Sequence, residues 1–247
     1  MGTIKGKASH VLGQTGSALE FDGSTYVDLG NSFRLERTDK FSAGAWINPS
    51  SSEASSVIGS MDEDSMFRGW DIYLDGGGKV YLHLINMWEK NAIRVNTKDA
   101  VPMKKWSHIF VTYDGSSKGK GIKIFINGAQ KELEITHDTL TGSIATDTPL
   151  HIGQRSKSST FKGVIDDVRL YRRELTPAEA AQLVGVDSLL PILAISSEKR
   201  TADQTASISR YYLENVDETY RNLNTQMTDI KKKRDDIDKS CLGMYGT

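Results

Sequence analysis

The hydrophobic pattern of this chain changes period once. Across residues 17–171 apolar side chains recur mostly at every second position, in short runs separated by turn residues. That predicts strand after strand, an all-β sandwich rather than alternating strands and helices. Leu19 and Phe21 alternate with Glu20 and Asp22 before Gly23, and Phe41, Ala43, Ala45 and Ile47 share one face of a strand ended by Pro49. Further runs lie at 57–61, 70–74, 80–85, 106–113, 122–126 and 150–153. Asn127-Gly128 between two such runs predicts a hairpin with a two-residue primed turn, because Asn and Gly tolerate the positive φ it needs. A second hairpin is expected around Gly76-Gly77-Gly78.

The run Phe161-Lys-Gly-Val-Ile-Asp-Asp-Val-Arg-Leu-Tyr171 reads as a strand in which Gly163 lets another backbone come close. Its Asp166 needs a cation or several donors, since a carboxylate in an apolar-favouring strand otherwise loses its hydration uncompensated. Strand alternation sends Asp166 and Asp167 to opposite faces.

After Tyr171 the period lengthens to about 3.5 and the chain becomes helical. Thr176-Pro-Ala-Glu179 is a capping box opening a helix that should stop at Gly185. A short second helix is expected over 188–195, with Pro191 tolerable in its first turn, and Thr201-Ala-Asp-Gln204 caps another that runs towards Asn215. Beyond Asp217, Tyr220, Leu223, Met227, Ile230, Arg234 and Ile237 fall at alternating three and four spacing, a short coiled-coil seam over about 217–239 that Leu213 and Val216 extend backwards. The organisation predicted is a lead at 1–16, a sandwich at 17–175 and a helical extension at 176–247. The polar lead is what a piece of a longer protein would show.

Symmetry of the triple-glycine hairpin would place Tyr73 opposite Tyr81 and Asp71 opposite His83, with Trp70, Ile72, Leu74, Val80, Leu82 and Leu84 on the other face. One face is then core and the other an aromatic and polar patch, which Trp88 extends. Such a patch suits a sugar, whose C–H side lies on an aromatic ring while a carboxylate or imidazole takes its hydroxyls. The plainer reading is that these aromatic pairs only stabilise the sheet.

Composition narrows the functional classes. Of 247 residues 26% are charged, with a formal net charge of -1, so no overall positive field favours nucleic acid. Lys231-Lys-Lys-Arg234 precedes Asp235-Asp236 and reads as a solvated helix face. Cys241 is the single cysteine, which excludes an intrachain disulfide. No apolar run approaches the ~18 residues of a membrane span. The five histidines lack metal-ligand spacing, and there is no G-x-S-x-G elbow.

Ala18-Leu-Glu-Phe-Asp-Gly23, Phe41-Ser-Ala-Gly-Ala-Trp-Ile47, Trp106 to Gly115, Ile124-Phe-Ile-Asn-Gly128, His151-Ile-Gly153 and Phe161 to Tyr171 stand in the order seen in laminin G-like, concanavalin A-like jelly-roll domains, which this chain resembles over roughly residues 17–184. The resemblance implies two curved antiparallel sheets and a binding module, which in some members of the family holds one structural calcium ion (Ca2+). Asp22 and Asp166 resemble the family's acidic positions, brought together because the first and last strands are neighbours. Without metal, Asp22 would cap the Gly23 turn and Asp166 would accept loop amides. The related endoglucanases carry an E-x-D-x-x-E run, which is absent here.

The tail, at Leu189 to Thr201, Tyr211-Tyr-Leu and Val216 to Arg221, resembles the connector that follows such an insert in large cytochrome c-associated surface proteins of planctomycete-type bacteria. That resemblance implies a secreted, periplasmic or cell-surface location within a longer exported protein, but no C-x-x-C-H haem motif accompanies it. The expected function is a non-catalytic recognition module for carbohydrate. Its rival is a structural or protein-interaction insert that uses the helical tail, and a glycoside hydrolase stands third.

Overall fold

A computed structural model of the chain describes residues 2–7, 9–14 and 16–220, together with 222, 223, 226, 227, 230, 233 and 234. Its strands, in order, are β1 (Thr3–Lys5), β2 (Ser9–Leu12), β3 (Ser17–Asp22), β4 (Tyr26–Asp28), β5 (Phe41–Pro49), β6 (Ser55–Asp62), β7 (Arg68–Leu74) and β8 (Lys79–Met87). There follow β9 (Asn91–Ala100), β10 (Ser107–Tyr113), β11 (Ile122–Ile126), β12 (Ala129–Gln130), β13 (Leu133–Asp138), β14 (His151–Ile152) and β15 (Lys162–Tyr171). They form an eight-stranded sheet ordered β1-β4-β14-β6-β7-β8-β9-β13 and a seven-stranded sheet ordered β12-β11-β10-β5-β15-β3-β2. The two sheets build the predicted antiparallel jelly-roll sandwich.

Period-two patterning explains the core. Phe41, Ala43, Ala45 and Ile47 of β5, with Ile109, Val111 and Tyr113 of β10, meet Trp70, Ile72, Leu74, Val80, Leu82 and Leu84 of β7 and β8. Burying each larger side chain contributes roughly 1.5–3 kcal/mol. The outward residues of the seven-stranded sheet are also covered in part: Trp46 packs against His108 at 5.3 Å, and His108 stacks on Phe110 at 5.7 Å.

The Asn127-Gly128 hairpin forms as predicted, with φ of 52° and 77° at its two turn residues. The strand after it is short, because the chain leaves β12 and adds β13 to the edge of the other sheet beside β9. The expected lead is not separate either: β1 pairs with β4 and β2 with β3, so Thr3–Lys5 and Ser9–Leu12 give an edge strand to each sheet.

Helix α1 (Pro177–Leu193) opens on the predicted capping box, the Thr176 amide donating to Glu179 Oε2 at 2.8 Å. It passes through Gly185 and Pro191, where the sequence predicts a stop and a fresh start. A glycine inside a helix costs about 1 kcal/mol and a proline in the last turn removes one donor, and neither suffices to break it. Its first turns place Ala180 against Phe110, Phe125 and Leu175. Helix α2 (Ala202–Asn215) carries the second predicted capping box, between Thr201 and Gln204.

The chain divides into two compact units, 1–188 and 189–247. The sandwich and the start of α1 thus belong together, beyond the boundary expected at residue 175. In the second unit the seam residues Leu213, Val216, Tyr220, Leu223, Met227 and Ile230 are exposed, while Ile237 lies outside the described residues. Among the described residues no helix is long and apolar enough to cross a membrane.

Gly163 occupies the position its strand requires. Its φ is +137°, and a Cβ there would lie 2.3 Å from the Asn48 carbonyl oxygen and 2.9 Å from Pro49 Cα, where β15 pairs with the end of β5. Gly163→Ala is therefore expected to cost on the order of 3 kcal/mol in urea unfolding. Gly30→Ala should cost about 1 kcal/mol, the left-handed penalty alone, because nothing lies within 4 Å of a Cβ at Gly30. Equal costs at the two positions would contradict this account.

Candidate functional site

The triple-glycine hairpin is the local cause of the site. Asp75 Oδ1 accepts from the Gly77 and Lys79 amides at 2.9 Å each, which fixes the turn. The resulting register sets Tyr73 opposite Tyr81 and Asp71 opposite His83. With the apolar residues of both strands turned into the sandwich, these four stand on the outer face of the eight-stranded sheet.

Asp71 is fully buried there and is the anchor of the face. Its Oδ1 accepts from His83 Nδ1 at 2.7 Å, and its Oδ2 accepts from Arg155 Nε at 2.7 Å. Burial alone would raise its pKa, but the Arg155 charge and the His83 contacts outweigh that and hold it at about 2. A carboxylate accepting from Nδ1 leaves Nε2 as the His83 nitrogen available to a ligand.

Arg155 lies over Tyr73 at 4.4 Å and over Phe67 at 5.6 Å. It reaches the face from the loop after β14, and that loop is latched: Glu63 Oε2 accepts from Ser156 Oγ at 2.9 Å and from the Lys157 and Ser158 amides at 2.6 and 3.1 Å. Burial pushes Glu63 up, yet these hydrogen bonds, led by Ser158, leave it below the usual carboxylate value. Lys157 and Asp64 add an ion pair at the surface.

Trp88 forms the opposite wall. It meets His83 edge-on at 5.9 Å and stacks with His137 at 5.4 Å. Its amide donates to the Met66 carbonyl at 3.0 Å, and both Met66 and Phe67 adopt left-handed backbone, with φ of 56° and 60°. Such conformations cost energy in non-glycine residues and concentrate at binding sites. Between the walls lies an open cleft of about 210 Å3, lined by Phe67, Tyr73, His83, Ile85, Trp88, Arg94 and Arg155. Aromatic walls with a few convergent polar groups are the composition of a small-ligand site.

Of the five residues the sequence proposes for this face, Tyr73, His83 and Trp88 line the cleft. Asp71 and Tyr81 lie behind it: Tyr81 is 8% exposed, its ring is stacked on His83 at 5.6 Å, and Arg94 lies over it at 4.7 Å. Phe67, Ile85, Arg94 and Arg155 are additions from the structure. Arg94 stands between Ile93 and Val95 in an alternating run that could have marked β9 as a strand. Arg155 lies 84 positions from Asp71, and no local pattern announces their contact.

The expected Asp22–Asp166 pair does not assemble. Strands β3 and β15 are neighbours as anticipated, but their register sets Asp22 against Lys162, so Asp166 lies four positions on, roughly 13 Å along the strand. Asp22 Oδ1 instead accepts from the Ser24 and Thr25 amides at 2.8 Å each, and those bonds, with the Ser24 hydroxyl, hold its carboxyl far below the usual range. Asp166 is paired in the ladder with Trp46, and its Oδ1 accepts the Asp167 amide at 2.8 Å. A bulge with φ of 46° at Asp167 also breaks the strict alternation expected there. These two residues do not fit one calcium ion, which needs six to eight oxygens in one shell. No group of three or more His, Cys, Asp or Glu among the described residues is placed to hold a metal.

A laminin G-type family model, described as the concanavalin A-like lectin/glucanases superfamily, matches residues 21–181. No curated protein matches the chain. Among solved structures it is similar to the binding domain of Paraclostridial Mosquitocidal Protein 1, at 18% identity and a TM-score of 0.57 over 75% of this chain and 47% of that one. It is likewise similar to the botulinum neurotoxin serotype G binding domain, at 18% identity and a TM-score of 0.54 over 75% and 46%. A third similar structure is the Ruminococcus gnavus IT-sialidase CBM40 bound to α2,3 sialyllactose, at 17% identity and a TM-score of 0.50 over 60% and 83%. The chain thus spans about half the length of the toxin binding domains, and at these identities the likeness is one of fold.

Two outcomes test the site as described. Asp71 has a folded pKa of about 2, below the ordinary aspartate value of 3.8, so its contribution to stability is complete above pH ~4 and is lost as pH falls towards 2. The urea midpoint of the parent should fall over that window. Asp71→Asn should be destabilised at pH 7 by ~3–5 kcal/mol, since it strands Arg155, and should lack this part of the acid response. A variant as stable as the parent would contradict the anchor. Melting midpoints with millimolar calcium and with a chelator should coincide; a calcium-dependent rise would show a metal site that Asp22 and Asp166 do not explain.

Proposed function

For a chain that belongs to the concanavalin A-like lectin/glucanases superfamily, we propose a non-catalytic binding module that takes carbohydrate in the cleft between Tyr73 and Trp88. The likeness to solved structures carries the fold, and the ligand class rests on the cleft. The observation that carries the reading is the pairing of aromatic walls, Tyr73 and Trp88, with polar groups held at fixed positions by a buried carboxylate. Ring faces receive the C–H side of a sugar, while His83 Nε2 and the Arg155 guanidinium receive its hydroxyls. Because Asp71 orients His83 and Arg155 before any ligand arrives, little ordering remains to oppose binding.

The same geometry argues against hydrolysis. Glycosidic cleavage uses two carboxyl groups flanking the bond, one of them able to donate a proton. Asp71 is fully buried, committed to two cations or donors, and held ionised at low pH. It positions other residues and has no path to a substrate. The proposal places the module in a longer exported protein, as the resemblance of the tail implies.

Titration calorimetry against a panel of neutral and acidic oligosaccharides tests the reading. Trp88→Ala and Tyr73→Ala should each weaken the bound member by about tenfold or more, a loss of ~1–2 kcal/mol, while leaving the circular dichroism spectrum unchanged. Variants that bind as well as the parent would remove the cleft as the site.

A further inference from the structure

We propose that the ligand is an acidic sugar and that Arg94 reads its anionic group. The inference rests on the carbohydrate reading of the cleft and adds the chemical class. Two arginines line the cleft, in different electrostatic states. The Arg155 charge is answered by Asp71 at 2.7 Å. Arg94, which stands across the ladder from His83 on one side and His137 on the other, has no carboxylate within ion-pair distance among the described residues.

What Arg94 touches is aromatic. Its guanidinium carbon lies 4.7 Å from the Tyr81 ring centroid and 5.9 Å from that of Trp88, and its buried Nε makes no hydrogen bond. The nearby acids are engaged elsewhere. Glu134 lies opposite Asn96 and accepts from its Nδ2 at 3.4 Å, Asp75 holds the hairpin turn and accepts from Tyr81 Oη at 3.3 Å, and Glu63 latches the 156–158 loop. Other arginines of the sandwich have found partners, Arg34 with Asp147, Arg169 with Asp167 and Arg173 with Glu179.

A half-buried guanidinium placed over a ring keeps its position and its positive charge, and its unfilled N–H donors match a planar or tetrahedral oxyanion. On a sugar that group is the carboxylate of a uronic or related acid, or a sulfate ester. With the pyranose against Tyr73 and Trp88, a substituent at its edge would meet Arg94 on the adjoining strand. A neutral sugar would leave that charge unanswered. Discrimination between acidic and neutral sugars therefore lies in this one residue, while the rings supply contact common to both.

The test uses the full chain and paired probes: oligogalacturonate, oligoglucuronate, oligomannuronate and sulfated galactan oligosaccharides, each against its carboxyl-reduced or desulfated counterpart. At least one acidic member should bind about tenfold or more tighter than its neutral counterpart, with an affinity that falls as salt rises. Arg94→Gln should bring that affinity down to the neutral level, Arg94→Lys should recover part of it, and neither should change binding of the neutral counterpart by more than about twofold. An acidic sugar bound no better than its neutral counterpart, or an Arg94→Gln protein that keeps the preference, overturns the inference and leaves the carbohydrate reading standing. Binding by no sugar of either kind overturns both.

Discussion

The outer face of the eight-stranded sheet depends on one buried charge. Asp71 gives one oxygen to His83 and the other to Arg155, and without those two partners a carboxylate at 0% exposure would carry a large desolvation penalty. The pairing works in both directions. It keeps Asp71 ionised, and it fixes a ring from β8 and a guanidinium from a distant loop in one arrangement. Arg155 in turn covers Tyr73, and the latch through Glu63 returns the loop to the residues beside Phe67. The cleft is thus a consequence of satisfying a buried anion, and the aromatic walls are placed by the same contacts.

That arrangement requires the hairpin beneath it. The inward residues of β7 and β8 belong to the inter-sheet core, and a slip of one position would exchange Trp70 and Ile72 with Asp71 and Tyr73. Core and site are therefore alternate positions of the same two strands. The closing strand β15 serves the sandwich rather than the site. Gly163 lets it lie close against the end of β5, its bulge accommodates Asp167, and its aspartates lie on a different sheet from the cleft.

What could be read from sequence follows the range of the forces involved. The face containing Tyr73, Tyr81, Asp71 and His83 was legible because a turn of known length and a period of two fix every side chain between them. The capping boxes at Thr176 and Thr201 were legible for a similar reason, since each is closed within four residues. The Asp22–Asp166 pairing needed an exact register between strands far apart in the chain; adjacency of those strands was deducible, but the four-position offset was not. Arg155 depends on a loop that carries no pattern. Arg94 sits in an alternating run, Ile93-Arg-Val95, that marks a strand but not which strand lies beside it. Helix α1 continues through Gly185 and Pro191, two residues that local rules treat as stops.

The central claim, a ligand site at the Tyr73–Trp88 cleft, is tested most directly by the indole N–H resonances of the four tryptophans in a titration with the bound oligosaccharide. Trp70 is in the core, Trp46 packs on the other sheet, and Trp88 alone among the four lines the cleft. The account predicts that the Trp88 resonance shifts in a saturable manner while those of Trp46, Trp70 and Trp106 stay in place. A saturable shift at another tryptophan with Trp88 unmoved would contradict it.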